Sequence, residues 1–482
     1  MLPADTRKPI VKSFVPFVLA ALLACGDDAP TLDRTPGVAP TDTRFELRVV
    51  GGDRTLRSLA EPFGPEVDGL FATTVLDVIE RALALPAPVR ERVRGDGELR
   101  VLAADGADGL DFAFAVPFDA RGFETLEAGG PRGTWRPGGA ANLALVPATP
   151  DSPATLVAAT TTEALAEALP YLAFARFEPL PAGLHVRFPG RRFAEDLRPV
   201  LARSVREQLQ RARQSLAAER ARRDEAPPLG DPEVVLERVE ASVDRFVGQV
   251  SDLGPTELTF THDATGVHLR LRSTVEDSPT RDALAAWPAS PLDATQVPRG
   301  SALAIAMPSF ELAPLVEAMA GERLDAAARE SLAAFARGWP EGARTIALGR
   351  GEGGRFVRAR AVDAPGDEAV APWIEAPFVR AWAERLADGA PLRVRSRELA
   401  LGEAPTSSLA DDPDLARLWR GPARFALYAD AQAVAGWLAA DAPRSVGSGV
   451  VVRMLDGADA IEITIDAPSE ALPPWVALLS GL

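Results

Sequence analysis

The chain has 482 residues, of which 47% are hydrophobic, enough for a packed core. It carries a formal net charge of −16, three histidines and one cysteine. A single cysteine excludes a disulfide within the chain, and an acidic surface argues against general nucleic-acid binding. The length suits two domains of ordinary size.

In chain order, Arg7, Lys8 and Lys12 precede an apolar run from Phe14 to Ala24 that ends at Cys25. About 11 apolar residues are too few for a bilayer core that needs roughly 20, so residues 1–24 read as an export signal. Leu22-Leu23-Ala24-Cys25 resembles the lipobox of bacterial lipoprotein precursors. The resemblance implies cleavage before Cys25, acylation of its thiol, an extracytoplasmic location and the membrane as a partner. Gly26 at the next position further implies delivery to the periplasmic face of the outer membrane, in cells that sort lipoproteins by that residue. Cleavage removes Asp5, Arg7, Lys8 and Lys12 and leaves a net charge of −18. Residues 25–42, with Pro30, Pro36 and Pro40, read as a flexible tether that reaches roughly 55 Å when extended.

From Thr43 onward one order recurs four times: an amphipathic strand, helical spacing, then a hairpin. In the first unit Phe45, Leu47 and Val49 alternate with Arg44, Glu46 and Arg48, which predicts a half-buried strand. Its hairpin turns at Asp105-Gly106-Ala107-Asp108-Gly109, where Asp-Gly chemistry supplies positive φ. The second unit opens at Gly183 to Phe188 and closes at Gly266 to Leu271. The third opens at Ala302 to Met307 and closes with Thr345 to Leu348 and Arg355 to Val362. The fourth opens at Ala423 to Tyr428 and closes with Val450 to Met454 and Ile461 to Ile465. A hairpin sheet with one apolar face needs a cover, which the intervening helices supply. The expected fold is α+β, with antiparallel hairpins covered by helices in two similar lobes, residues 43–287 and 300–482, meeting near Pro288 to Pro298.

Arg191 to Val250 departs from this plan. Leu197, Leu201, Val205, Leu209, Ala212 and Leu216 form a narrow stripe on a helix of about eight turns. A second helix begins with Asp231 as N-cap and Pro232 at its first position, so residues 191–250 read as a protruding helical hairpin. Arg191 to Arg223 holds ten arginines against four acids, a net +6. A solvated helix explains this charge, and so does contact with an anionic lipid or an acidic envelope partner through Arg206, Arg213 and Arg220.

No motif points to catalysis, a metal or a cofactor. His185, His262 and His268 fall on predicted strands without the ligand spacing of a zinc site. No Gly-x-Ser-x-Gly occurs. Gly349, Gly351 and Gly354 match a dinucleotide fingerprint, but a strand follows where a helix is required, so a hairpin loop is expected. Asp105, Asp108 and Asp111 depart from the calcium-loop pattern and read as turn residues. Seven of the eight tryptophans lie after residue 286, as core or as the lining of a pocket. Three functions follow in order: a non-catalytic, lipid-anchored binding or scaffolding protein; a carrier of lipid or another hydrophobe in the cavity of its sheets; an enzyme of unrecognised type.

Overall fold

The computed structural model describes residues 36–63, 72–107, 109–121, 126–128, 134–137, 140–148, 153–222, 240, 251–275, 281–282, 289–307, 330, 344–351, 354–361, 390, 392–395, 398–438, 449–455 and 460–475. The fold is α+β, antiparallel in every strand pair whose register is defined. Contacts divide the described residues into two compact units. One runs to Arg192 and includes Pro255–Leu269; the other comprises Phe193–Gly254 and Arg270–Leu479.

The first unit opens with β1 (Thr43–Val50), α1 (Gly52–Ala60), α2 (Val75–Glu80) and α3 (Ala87–Arg90). The hairpin β2 (Leu99–Gly106) and β3 (Gly109–Pro117) follows. Next come β4 (Leu126–Ala128), β5 (Trp135–Pro137), β6 (Leu143–Val146), β7 (Thr155–Ala159), α4 (Thr162–Phe174) and β8 (Gly183–Phe188). The unit ends within the hairpin of β9 (Leu253–Asp263) and β10 (Gly266–Val275), through which the division passes. The strand order is β4-β5-β6-β7-β3-β2-β1-β8-β9, each neighbour antiparallel. Residues 117–182, which lie between two predicted repeats, supply four of these strands and α4.

Helix starts follow local chemistry. Thr74 and Asp77 close a reciprocal capping box on α2, and the Thr161 side chain accepts from the Ala164 N–H at the start of α4. Gly51 and Gly52 enter α1 at φ 92° and 51°, and a Cβ on Gly52 would lie 2.1 Å from the Gly95 carbonyl oxygen. Only glycine fits there.

The central strands are buried on both faces, with side chains sorted by size. Val101, Phe112, Phe114 and Val116 share one core with Val75 and Ile79 of α2 and Val89 of α3. On the other face Leu102, Ala113, Ala115, Ala144 and Val157 pack against Leu165, Ala168, Leu169 and Leu172 of α4. The alanines let the α4 backbone lie close to the sheet, so a thin layer still excludes water. The Gly37 N–H donates to the Pro170 carbonyl at 3.2 Å and Ala39 packs on this same cluster, so the chain meets α4 before β1 begins.

The second unit begins with α5 (Arg192–Arg222), whose residues from Phe193 belong to it. Its strands are β11 (Ser290–Pro291), β12 (Ser301–Met307), β13 (Arg344–Gly351), β14 (Gly354–Ala361), β15 (Leu392–Arg395) and β16 (Glu398–Leu401). The chain continues through α6 (Pro413–Leu418), β17 (Pro422–Ala423), β18 (Phe425–Asp430), α7 (Ala431–Leu438), β19 (Gly449–Leu455) and β20 (Ala460–Ala467). The order is β15-β16-β14-β13-β12-β18-β19-β20, again antiparallel throughout. From Arg270 onward β10 lies beside β20, and Arg270 pairs with Glu462 at 2.7 Å. The short strands β11 and β17 form a separate ribbon. Asp412 caps α6, and Asp430 accepts from the Ala433 N–H in the first turn of α7. Gly351 pairs with Gly354 at the β13-β14 turn, so the expected hairpin replaces a nucleotide fingerprint.

Candidate functional site

The sheet of the second unit has two unlike faces. In an antiparallel pair, directly opposed residues point the same way, so register assigns each side chain to a face. Ile346 opposes Ile305, Ile305 opposes Leu427, Leu427 opposes Val452 and Val452 opposes Ile465. These five side chains form one unbroken row across five strands, about 19 Å at roughly 4.8 Å per strand. Rows of the same kind flank it: Leu348 with Leu303, and Phe425 with Met454 and Ile463. Every member of the three rows is only half-buried.

The opposite face is built from smaller residues that are fully covered. Ala304, Ala347 and Ala426 have at most 1% of their surface exposed, and they pack with Tyr428, Leu409, Leu415 and Trp419. The usual arrangement, in which the largest aliphatic side chains are the most buried, is therefore inverted here. The inverted face offers apolar area and shape but no ionisable group along its central row. Chemically it can hold an apolar chain.

On the α4 side of the first unit, charged residues of β1 and of the start of β2 make a polar cluster that fastens the connection from α4 to β8. Phe177 lies 4.1 Å from the Arg100 guanidinium carbon, 5.2 Å from that of Arg48 and 5.2 Å from the Tyr171 ring, centroid to centroid. Glu98 accepts from Arg48 at 2.5 Å and Arg100 at 3.2 Å, while the Tyr171 hydroxyl donates to Glu46 at 2.8 Å. Arg48 also donates to the Glu178 carbonyl at 3.0 Å. These charges are satisfied by one another, which marks the cluster as structural.

Burial raises the Glu98 carboxyl, but hydrogen bonds from Arg48 and Arg100 outweigh it and the net direction is down. A depressed carboxyl contributes stability that is complete above its unfolded pKa, about 4.3, and is lost as pH falls through the lower folded value. Thermal unfolding of Glu98→Gln against the wild type is therefore expected to show a gap at neutral pH that narrows below about pH 4. A gap independent of pH would remove this role.

The sequence matches no family model and no curated protein. Among solved structures it is similar to crystal form III of TP0453, at 9% identity and a TM-score of 0.23, over 54% of this chain and 89% of that one. It is similar also to crystal form I of TP0453, at 10% identity and a TM-score of 0.21, over 53% and 85%. Likenesses this slight carry no argument about the present chain.

The sequence-predicted residues fall in separate places. Cys25 lies outside the described residues. Arg206 and Arg213 are exposed on α5, and Arg220 lies on the same helix two turns beyond Arg213. Arg213 pairs with Glu240 at 2.5 Å. The three histidines stand apart: His185 contacts the Pro181 carbonyl at 2.9 Å and the Thr259 hydroxyl at 3.4 Å, His262 the Ser58 hydroxyl at 2.9 Å, and His268 the Thr265 hydroxyl at 2.9 Å and Asp263 at 3.5 Å. Asp105 pairs with Arg44 and Arg192, and Asp111 accepts from the Thr160 hydroxyl. Asp108 lies outside the described residues. Among the described residues no group of three or more His, Cys, Asp or Glu stands together to hold a metal, and no helix is long and apolar enough to cross a membrane. Trp419 is buried core, Trp135 is exposed, and Trp287, Trp339, Trp373 and Trp382 lie outside the described residues.

The apolar face was the feature missed in the sequence. Its signal was present in Ser301-Ala-Leu-Ala-Ile-Ala-Met307, where Ala alternates with Leu and Ile. Size, not polarity, carried the period of two.

Proposed function

We propose that this chain is a lipid-anchored, extracytoplasmic protein that binds a hydrophobe, such as a lipid acyl chain, along the sheet of its second unit. The observation that supports the reading is the row Ile346, Ile305, Leu427, Val452 and Ile465, paired in register yet only half-buried. Apolar area stabilises binding by roughly 25 cal/mol per Å² removed from water, so a chain laid along it gains several kcal/mol before its ordering cost. Acylation of Cys25, expected from its resemblance to a lipobox, would place the protein where such ligands are found.

We infer a finer plan of the fold as well. The chain repeats one design in two lobes, because the pairing order β9-β8-β1-β2-β3-β7-β6 recurs as β19-β18-β12-β13-β14-β16-β15. In each lobe two lead strands, β1 with β8 and β12 with β18, pair antiparallel at the centre. The Arg213–Glu240 ion pair supports a helical hairpin over 191–250, because a helical residue 27 positions on meets α5.

Titration of the purified mature chain with a fluorescent fatty acid tests the binding face. Ile305→Gln combined with Val452→Gln is expected to weaken binding at least tenfold, about 1.4 kcal/mol. Both positions are half-buried, so the thermal midpoint should move less than for a fully buried substitution. Unchanged affinity in a folded double variant would rule out this face.

A further inference from the structure

We propose that a small pocket on the covered face of the second unit binds the ammonium group of a small primary amine. Its polar walls are Arg299, Asp412, Asp430 and Tyr428, and its apolar walls are Leu409 and Leu415. Tyr428 and Asp430 stand two residues apart on β18, on the face of Ala426 and opposite to the half-buried apolar rows. The Tyr428 ring lies across Gly449 of β19, where a Cβ would overlap it, and Gly449 is the register partner of Asp430. The ring therefore leans toward the end of the strand where Asp430 stands. Arg299 is exposed and Asp412 half-buried, so the pocket is reached from solvent.

The decisive group is the Tyr428 hydroxyl. Tyr428 is 2% exposed, yet among the described residues its hydroxyl has no hydrogen-bond partner. A buried hydroxyl is ordinarily paired, and this one lines a pocket instead. Asp412 is also incompletely used: its Oδ1 accepts from the N–H groups of Asp414 and Leu415, while Oδ2 takes neither. Burial first, and then the charges of Asp430 and Asp412, push the Tyr428 hydroxyl above the ordinary phenol range, so it stays neutral in a negative field.

Charge and size select the ligand. Two carboxylates against the one guanidinium of Arg299 leave one negative charge in excess, which a single ammonium matches. A hard metal ion wants six or more oxygens. The side chains here offer three acceptors, Asp412, Asp430 and Tyr428, and the Gly300 carbonyl already accepts from Arg350. A primary ammonium has three N–H donors, one for each. The pocket is about 10 Å³, room for one group the size of a water, which admits –NH3+ and excludes a quaternary head.

Saturation-transfer NMR on the methyl protons of methylammonium, mixed with the purified mature chain, tests the site. A ligand of two heavy atoms binds no tighter than roughly 6 mM, within reach of this measurement. Transfer is expected to methylammonium and not to tetramethylammonium, and an equal concentration of potassium should not displace it. Tyr428→Phe keeps the ring across Gly449, and Asp412→Asn keeps an oxygen for the cap of α6, a position where Asn serves as well as Asp. Each should weaken methylammonium binding at least about tenfold without lowering the thermal midpoint. No transfer to methylammonium would mean that the pocket holds water only. That result, equal transfer to tetramethylammonium, displacement by potassium, or wild-type binding by both variants would each overturn the proposal. Because the pocket lies on the face opposite to the apolar rows, none of these outcomes bears on the hydrophobe reading.

Discussion

Replacing Cys25 with Ala is expected to abolish fatty-acid incorporation completely and to leave a precursor still carrying residues 1–24. The effect is all-or-none because this thiol is unique in the sequence, so no second cysteine can substitute. Metabolic labelling with a fatty acid, followed by a mass measurement of the intact chain, reads both changes at once. Label retained by the alanine variant would end the lipoprotein reading. The physical stake is large: one acyl chain gives only marginal membrane binding, and stable anchoring takes a second chain or a basic patch.

The second large effect is expected at Phe114. Its side chain is 1% exposed, packs in the core shared by β1–β3, α2 and α3, and stacks on Phe112 with ring centroids 6.3 Å apart. Truncation to alanine removes the transfer energy of the ring and leaves a cavity that the surrounding strands cannot close, because each is hydrogen-bonded on both sides. The expected loss is about 3–5 kcal/mol, a large share of the stability of an ordinary domain. Urea unfolding of Phe114→Ala measures it. A loss below about 1 kcal/mol would mean that the face packs loosely and that the size sorting of β2 and β3 does not carry the core.

Much of the fold was legible because strand and helix periods differ. Phe45, Leu47 and Val49 alternate with charges, and β1 lies where that alternation predicts it. The four expected hairpins all pair, and α5 spans Arg192–Arg222 against an expectation of about eight turns from Arg191. What was missed had no period to read. Strands β6 and β7, Leu-Ala-Leu-Val and Thr-Leu-Val-Ala-Ala, are buried on both faces, so polarity does not alternate along them. Helix α4 is apolar on most sides and contains Pro170, which reads as a break in a linker until Thr161 is recognised as its cap. The candidate face was hidden for a third reason. The alternation of Ala with Leu and Ile marks one face of β12, but the row depends also on which strands pair and in what register, which that alternation does not specify.

The central claim is that the second unit holds a hydrophobe, and native mass spectrometry of the mature chain tests it most directly. The chain is purified without detergent, its intact mass recorded, and the sample then extracted into organic solvent and remeasured. A population heavier than the bare chain by the mass of one lipid, lost on extraction and absent from the Ile305→Gln and Val452→Gln double variant, is the predicted result. A single bare mass before extraction, together with no uptake of added fatty acid, would contradict the account.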